Sequence, residues 1–392
     1  MTLPGEAFVM PTYARYPVTL VRGEGMRVVD DEGRAYLDFV GGLGALSLGH
    51  CHPRWVEAVE RAARTIGLTS NLFATPPQAE LAERLSALLP IPEARIFFCN
   101  SGTEATEALL KLIRKRGLPR GKGVVVVLEG SFHGRTVAAL AATGQPAKRA
   151  PFEPLVDWFR YVAPNDEEAL AGAFASGDVA AVFLEPVMGE GGVIPLDLDY
   201  LHTVRALCDE HDALFTVDEV QAGTGRCGDW LSVSAADVVP DAATIAKALG
   251  GGLPIGALVA RPELSFAPGE HASTFGGGPV PASAALSVLD TIELDALLGN
   301  VIAMGDLLRA QVTRLAPSGT IGEVRGRGLL CGVDVAPGLA LADVVAGLRE
   351  RGVLVSTAGA ATVRFTPPFT VGADDVRTAA TALADTLAEV AR

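Results

Sequence analysis

The chain has five cysteines, Cys51, Cys99, Cys208, Cys227 and Cys331, but no CxxC pair and no zinc-type spacing among them. Neither a disulfide-stapled nor a zinc-ligated fold is expected, and free thiols suit a cytoplasmic protein. The sequence contains no run of about 18 apolar residues, so no membrane span is expected. The opening MTLPGEAFVMPTYARYP lacks the apolar stretch of a secretory signal. Positive charge is scarce: 32 Lys and Arg face 46 Asp and Glu, a net charge of −14. Such a surface repels phosphate backbones and anionic lipids, so neither nucleic acid nor a membrane is an expected partner. The absence of a GxxxxGK[ST] loop argues against a P-loop nucleotidase.

The chain does have the means to build large cores. It has 392 residues, 49% of them hydrophobic and 20% charged, which suits a soluble protein of two or three domains. The 44 Gly and 25 Pro lie between apolar runs and read as turns joining strands and helices. Short strands are expected between residues 17 and 40, then helices after Pro53 and Pro77. From about residue 95 a strand–loop–helix rhythm sets in: strands at 95–99, 123–128, 179–184, 213–217, 242–245 and 254–260, with helices at 104–116 and 198–209. Continuous apolar strands alternating with helices predict an α/β fold with a mostly parallel sheet covered on both faces. Ligands of such sheets collect at the carboxyl ends of the strands. Residues 46–284 are read as the large domain and residues 285–392 as a smaller α+β domain. Residues 1–45 are read as a segment that joins the smaller domain.

Four strand ends carry unusual chemistry. RIFFC runs into Asn100-Ser101-Gly102-Thr103-Glu104, where a helix N-terminus with a glycine offers an anion site; an ordinary N-cap is the alternative. GVVVVL runs into Glu129-Gly130-Ser131-Phe132-His133-Gly134-Arg135. Phe132 could stack on a planar ring and Arg135 could clamp a carboxylate, or they could be a core aromatic beside a surface cation. ALFTV ends in Asp218-Glu219-Val220-Gln221, a carboxylate whose desolvation calls for a cation. A protonated pyridine nitrogen or Mg²⁺ would serve, and a helix cap is the plain alternative. Lys247 sits in the apolar stretch TIAKAL before Gly250-Gly251-Gly252, where burial favours the neutral amine that imine chemistry needs. A snorkelling lysine is the alternative there. Together these residues match what a pyridoxal phosphate ring requires: a phosphate cradle, a stacking partner, a carboxylate and a lysine.

The chain resembles the class III (ω-type) pyridoxal-phosphate aminotransferases, of the acetylornithine aminotransferase group. The resemblance runs from Tyr13 to the last strand, through LGHCHP, FFCNSGTEATEALLK, SFHGRT, EPVMGEGGV, FTVDEVQAGTGR, PDAATIAKALGGGLPIGA, STFGGGP and VRFTPP. It implies fold type I, a homodimer with shared sites, and pyridoxal 5'-phosphate bound as a Schiff base on Lys247, which also carries protons. It further implies that Asp218 meets the ring nitrogen, that Gln221 lies near the ring hydroxyl, and that Phe132 and Val220 cover the ring faces. Gly102 and Thr103 would hold the phosphate, and Thr274, with Ser273 beside it, would reach it from the other subunit. Arg364 would take the α-carboxylate of 2-oxoglutarate, with Glu190 masking it in the other half-reaction. Arg135 and Tyr13 would bind the second carboxylate, and Glu185 would support the site from behind.

The resemblance implies N-acetyl-ornithine as amino donor, in arginine biosynthesis, with carrier-bound lysine, ornithine and 4-aminobutyrate as alternatives. An acidic carrier protein is disfavoured by like charge. Leu43 stands where ornithine aminotransferases have a tyrosine, which fits an acylated donor better. Met188, Gly278 and Thr106 depart from residues usual in the family, and none of the three is an expected cofactor ligand.

Overall fold

The computed structural model describes residue 3 and residues 5–392. The first strands form an antiparallel run, β1 (Leu20–Glu24), β2 (Arg27–Asp30) and β3 (Ala35–Asp38). Two helices follow, Pro53–Thr65 and Pro76–Leu88, each opening on a proline, whose missing N–H has no partner to lose in a first turn. Then come β4 (Arg95–Cys99), β5 (Val124–Leu128), β6 (Phe159–Val162) and β7 (Val179–Leu184). A small hairpin of β8 (Val187–Met188) and β9 (Ile194–Pro195) leads to β10 (Leu214–Asp218), β11 (Ala242–Ile245) and β12 (Gly256–Ala260). The C-terminal third adds β13 (Ile321–Arg327), β14 (Leu330–Val335), β15 (Val353–Leu354), β16 (Ser356–Ala358) and β17 (Thr362–Phe365).

Seven strands form the main sheet in the order β4-β12-β11-β10-β7-β5-β6. All neighbours are parallel except β12, which runs against both β11 and β4. The mostly parallel sheet expected from the apolar runs is therefore present. The reversal of β12 follows from its short connection to β11, since a parallel return needs a crossover of about a dozen residues or more. Edge strand β6 was not foreseen: FRYV is half-buried and mixes aromatic and charged side chains, so it carries neither a continuous nor an alternating apolar signal.

Strand alternation supplies two cores from one sheet. Val126, Leu128, Val182, Leu184 and Val217 pack with Leu81 and Leu85 on one side. Val125, Val127, Ala181, Phe183 and Leu214 pack with Leu109 and Ile113 of the Gly102–Gly117 helix on the other. Each fully buried aliphatic side chain contributes about 1.5–3 kcal/mol. With both faces dry, the polar ends of the strands are where this sheet can hold a ligand.

β15 pairs in parallel with β3, so the two ends of the chain share one sheet. The separate antiparallel sheet β13-β14-β17-β16 carries Arg364 toward the main sheet. Between these parts lies Arg226, with no solvent exposure and, among the described residues, no carboxylate partner. Its guanidinium donates to the carbonyls of Gly44, Leu329 and Pro367 and lies over the Phe369 ring. Burial pushes its pKa down to about 10. Among the described residues no helix is long and apolar enough to cross a membrane, and no cluster of side chains could hold a metal ion.

Candidate active site

A cavity of ≈ 390 Å³ opens at the ends of β4, β5, β10 and β11. Lys247 lines it, on the first residue after the bend that ends β11, with a left-handed φ of 31°. A β-carbon in that conformation is strained, so the backbone is held there by its surroundings. Among the described residues no hydrogen bond reaches the amine. Burial lowers its pKa and Arg364 adds to that effect, outweighing the opposing pull of Glu190, Asp218 and Glu185.

Asp218 ends β10 on the neighbouring strand, with Thr244 of β11 at the paired position. One oxygen, Oδ2, lies 2.8 Å from His133 Nδ1. The other accepts from Val220 N at 3.0 Å and Thr244 Oγ1 at 3.3 Å. His133 is buried and stacks on Phe183 at 4.2 Å, and its Nε2 has no partner among the described residues. The imidazole and these two donors thus fix a carboxylate that lines the cavity. Nothing in the local sequence assigns His133 a role. Its place between Phe132 and Arg135 was visible, but its partner is 85 residues away in the chain.

The loop after β4 opens the Gly102–Gly117 helix. Ser101 Oγ caps it by accepting from Glu104 N at 3.3 Å, and the Glu104 carboxylate reaches back to Asn100 N at 2.7 Å. The ordinary cap and the anion site are therefore compatible. The cap uses Ser101 and Glu104, while the N–H groups of Gly102 and Thr103 have no intrahelical partner. A β-carbon on Gly102 would come within 2.7 Å of Val220 Cγ1, so glycine is what lets these two walls of the cavity meet. Thr103 Oγ1 lies 3.0 Å from Thr136 Oγ1 and accepts from Arg135 N at 3.3 Å, which ties the loop after β5 to the same corner.

The opposite wall is charged. Arg364 is 1% exposed, yet its Nη1 donates to Glu190 Oε1 at 2.6 Å, to Gln221 Oε1 at 3.1 Å and to Gly189 O at 3.1 Å. Ser356 Oγ receives its Nε at 3.1 Å. Burial raises the Glu190 pKa, but Arg364, Lys247 and Lys148 together bring it below the usual carboxylate range. Lys148, from the Pro146–Arg149 turn of helix, stands 3.8 Å from Glu190 Oε2 and 4.8 Å from the Phe132 ring centroid. Nothing in its local sequence marks it. Arg135 covers the same ring at 5.4 Å. Behind the wall, burial pushes the Glu185 pKa up to about 7, although its oxygens accept from Phe132 N and Gly189 N.

The structure thus brings Gly102, Thr103, Phe132, Arg135, Glu190, Asp218, Val220, Gln221 and Lys247 around one cavity, with Arg364 paired to Glu190 at its edge. Gln221 is engaged by Arg364. Three expected residues lie elsewhere on this chain. Tyr13 is 77% exposed and lines no part of the cavity. Ser273 and Thr274 border a separate cleft, where Ser273 Oγ accepts from Asn100 Nδ2 at 3.4 Å.

The cavity fits pyridoxal phosphate by its own chemistry. It offers a buried amine, a carboxylate fixed by an imidazole, aromatic and branched walls, and the N–H groups of a helix start. The aminotransferase class-III family model matches residues 9–387. An acetylornithine aminotransferase of Thermosynechococcus vestitus is 46% identical, covering 98% of this chain and 96% of the relative. The acetylornithine aminotransferase of Mycolicibacterium smegmatis is 44% identical, with 98% of each chain covered. The N-acetylornithine aminotransferase structure from Stenotrophomonas maltophilia superposes with a TM-score of 0.84 at 37% identity, covering 97% of this chain and 98% of that one. The ornithine aminotransferase of Toxoplasma gondii, whose active site holds pyridoxal phosphate at partial occupancy, gives 0.93 at 32% identity, covering 99% and 93%. With a cavity built for this chemistry and a family match over nearly its whole length, the chain belongs to the class-III aminotransferases.

Proposed function

We propose that the protein is a transaminase that moves the terminal amino group of N-acetyl-ornithine to 2-oxoglutarate, giving a semialdehyde and glutamate, as in arginine biosynthesis. The observation that carries this reading is the Arg364–Glu190 pair beside Lys247. It is a buried guanidinium covered by a carboxylate that is itself partly exposed. Such a pair suits two substrates that present different groups to one pocket. The names of the similar proteins support the acylated donor.

Bound pyridoxal phosphate supplies an aldehyde carbon and a ring that takes up electron density. In this reading Lys247 would hold the group covalently, and its amine, when free, would take and return a proton, burial keeping its pKa low. Asp218, oriented by His133, would pair with the ring nitrogen and keep it charged. Phe132 and Val220 would cover the ring, Gln221 would serve its hydroxyl, and Gly102 and Thr103 would hold the phosphate. While the donor is bound, Glu190 covers Arg364. When 2-oxoglutarate enters, Glu190 withdraws, Arg364 binds the α-carboxylate, and Arg135 with Tyr13 takes the distal one. Thr274 and Ser273 serve the phosphate site of a second copy, which makes the working unit a homodimer. Their position away from this chain's own cavity supports that arrangement.

A donor panel tests the substrate: glutamate formation from 2-oxoglutarate with N-acetyl-ornithine, ornithine, 4-aminobutyrate and an N-acyl-lysine. N-acetyl-ornithine is expected to give the highest kcat/KM. A large preference for free ornithine would refute the assignment.

A further inference from the structure

Glu190 faces two cations. Its Oε1 receives Arg364 Nη1 at 2.6 Å, and its Oε2 points at Lys148 Nζ, 3.8 Å away and too far for a hydrogen bond. Arg364 is buried, whereas Glu190 and Lys148 are each about one quarter exposed. The movable partners in this trio are therefore the acid and the lysine. The Glu190 backbone is held, its carbonyl accepting from Gly359 N at 2.9 Å, so the movement required is a turn of the side chain alone. If Glu190 left Arg364 for water alone, its charge would lose its closest partner. Lys148 stands where it can receive that charge, supported by the face of Phe132.

We propose that Lys148 is a positioning residue that takes up the Glu190 carboxylate when Arg364 turns to a substrate carboxylate. The acid then shuttles between two cations, and its release from Arg364 is eased by a waiting partner. This rests on the transaminase reading above. It deepens it by naming what stabilises the open arrangement. The effect falls on the acceptor: without Lys148 the closed pair is favoured, and 2-oxoglutarate must displace Glu190 unaided.

The test measures steady-state KM and kcat for the amino donor and for 2-oxoglutarate in Lys148→Met, Lys148→Arg and Glu190→Gln, and in the Lys148→Met/Glu190→Gln double variant. The cofactor's visible absorbance checks that each variant is loaded. In Lys148→Met the KM for 2-oxoglutarate, relative to that for the donor, should rise about threefold to fivefold, the scale of a partly exposed ion pair. Lys148→Arg should restore most of the difference. In the Glu190→Gln background the same substitution should leave the ratio unchanged, because no carboxylate remains to be received. A ratio unmoved by Lys148→Met refutes the role. So does an equal rise in both backgrounds, which would mean that the lysine acts on the substrate directly. Absence of glutamate from the unmodified protein with every donor would instead refute the functional reading, and the role with it.

Discussion

Replacing Gly102 with alanine tests how the phosphate corner is built. The added β-carbon would meet Val220 Cγ1 at 2.7 Å and Cγ2 at 2.9 Å, while Val220 Cβ would lie at 3.4 Å, an ordinary contact. Both residues line the cavity and both sit on anchored backbone, Gly102 at a capped helix start and Val220 two residues past β10. One wall must yield, and overpacking of this kind costs about 1–3 kcal/mol. If the helix start gives way, the N–H groups of Gly102 and Thr103 move with it, and cofactor affinity should fall by about 5-fold to 150-fold. Removing the two offending carbons with Val220→Ala should return much of the loss. A double-mutant cycle, with affinity read from visible absorbance as free cofactor is titrated, should then show a favourable coupling of about 1 kcal/mol or more. Purely additive losses, or a Gly102→Ala protein that binds cofactor as tightly as the original, would refute the argument that these walls meet through glycine.

Lys247→Ala should abolish transamination and the borohydride-fixable attachment of the cofactor; full-strength covalent attachment in that variant would contradict the assignment. Burial raises Glu219 from 4.5 to about 7, against the hydrogen bonds it accepts from Ser232 and Val233. The folded protein therefore holds a proton that the unfolded chain has released between those values. Stability should fall as pH rises from about 4.5 to 7 and level off above, by at most about 3 kcal/mol from this group. Melting temperatures of Glu219→Gln across that range should show a shallower slope than the original protein. Arg226→Met keeps the packing over Phe369 but strands the carbonyls of Gly44, Leu329 and Pro367. Each stranded acceptor costs about 1–3 kcal/mol, so denaturant midpoints should drop markedly, and an unchanged midpoint would show that water replaces the guanidinium.

The sequence was most legible where burial is complete. The strands Val179–Leu184 and Ala242–Ile245 were read to their ends because every residue in them is apolar or small and dry. The helix read over 104–116 extends to Gly102–Gly117, since its cap is Ser101 and not Thr103. β13 went unread because IGEVRGR is broken by glycines and charges, and only its pairing with β14 holds it extended. At the site, residues next to strand ends could be picked out one at a time. His133 and Lys148 could not be assigned, because their importance lies in Asp218 and Glu190, brought to them only by the sheet. Lys148 sits in a four-residue helix beside Pro146 with no apolar pattern to mark it.

The reversal of β12 has a mechanical consequence. Because this strand turns back against β11, the stretch from Ala246 to Ile255 leaves the main sheet and re-enters it at the same rim, with Ile245 paired to Ala257 at its foot. Lys247 therefore hangs on a tether fastened at both ends, two residues from its first anchor. Its other end leads directly to Gly256, which is paired with Cys99 at the threshold of the Gly102 corner. Slack in this tether is small, so the amine and the helix start that flank the cavity keep a nearly constant spacing while Glu190 and the charged wall opposite rearrange.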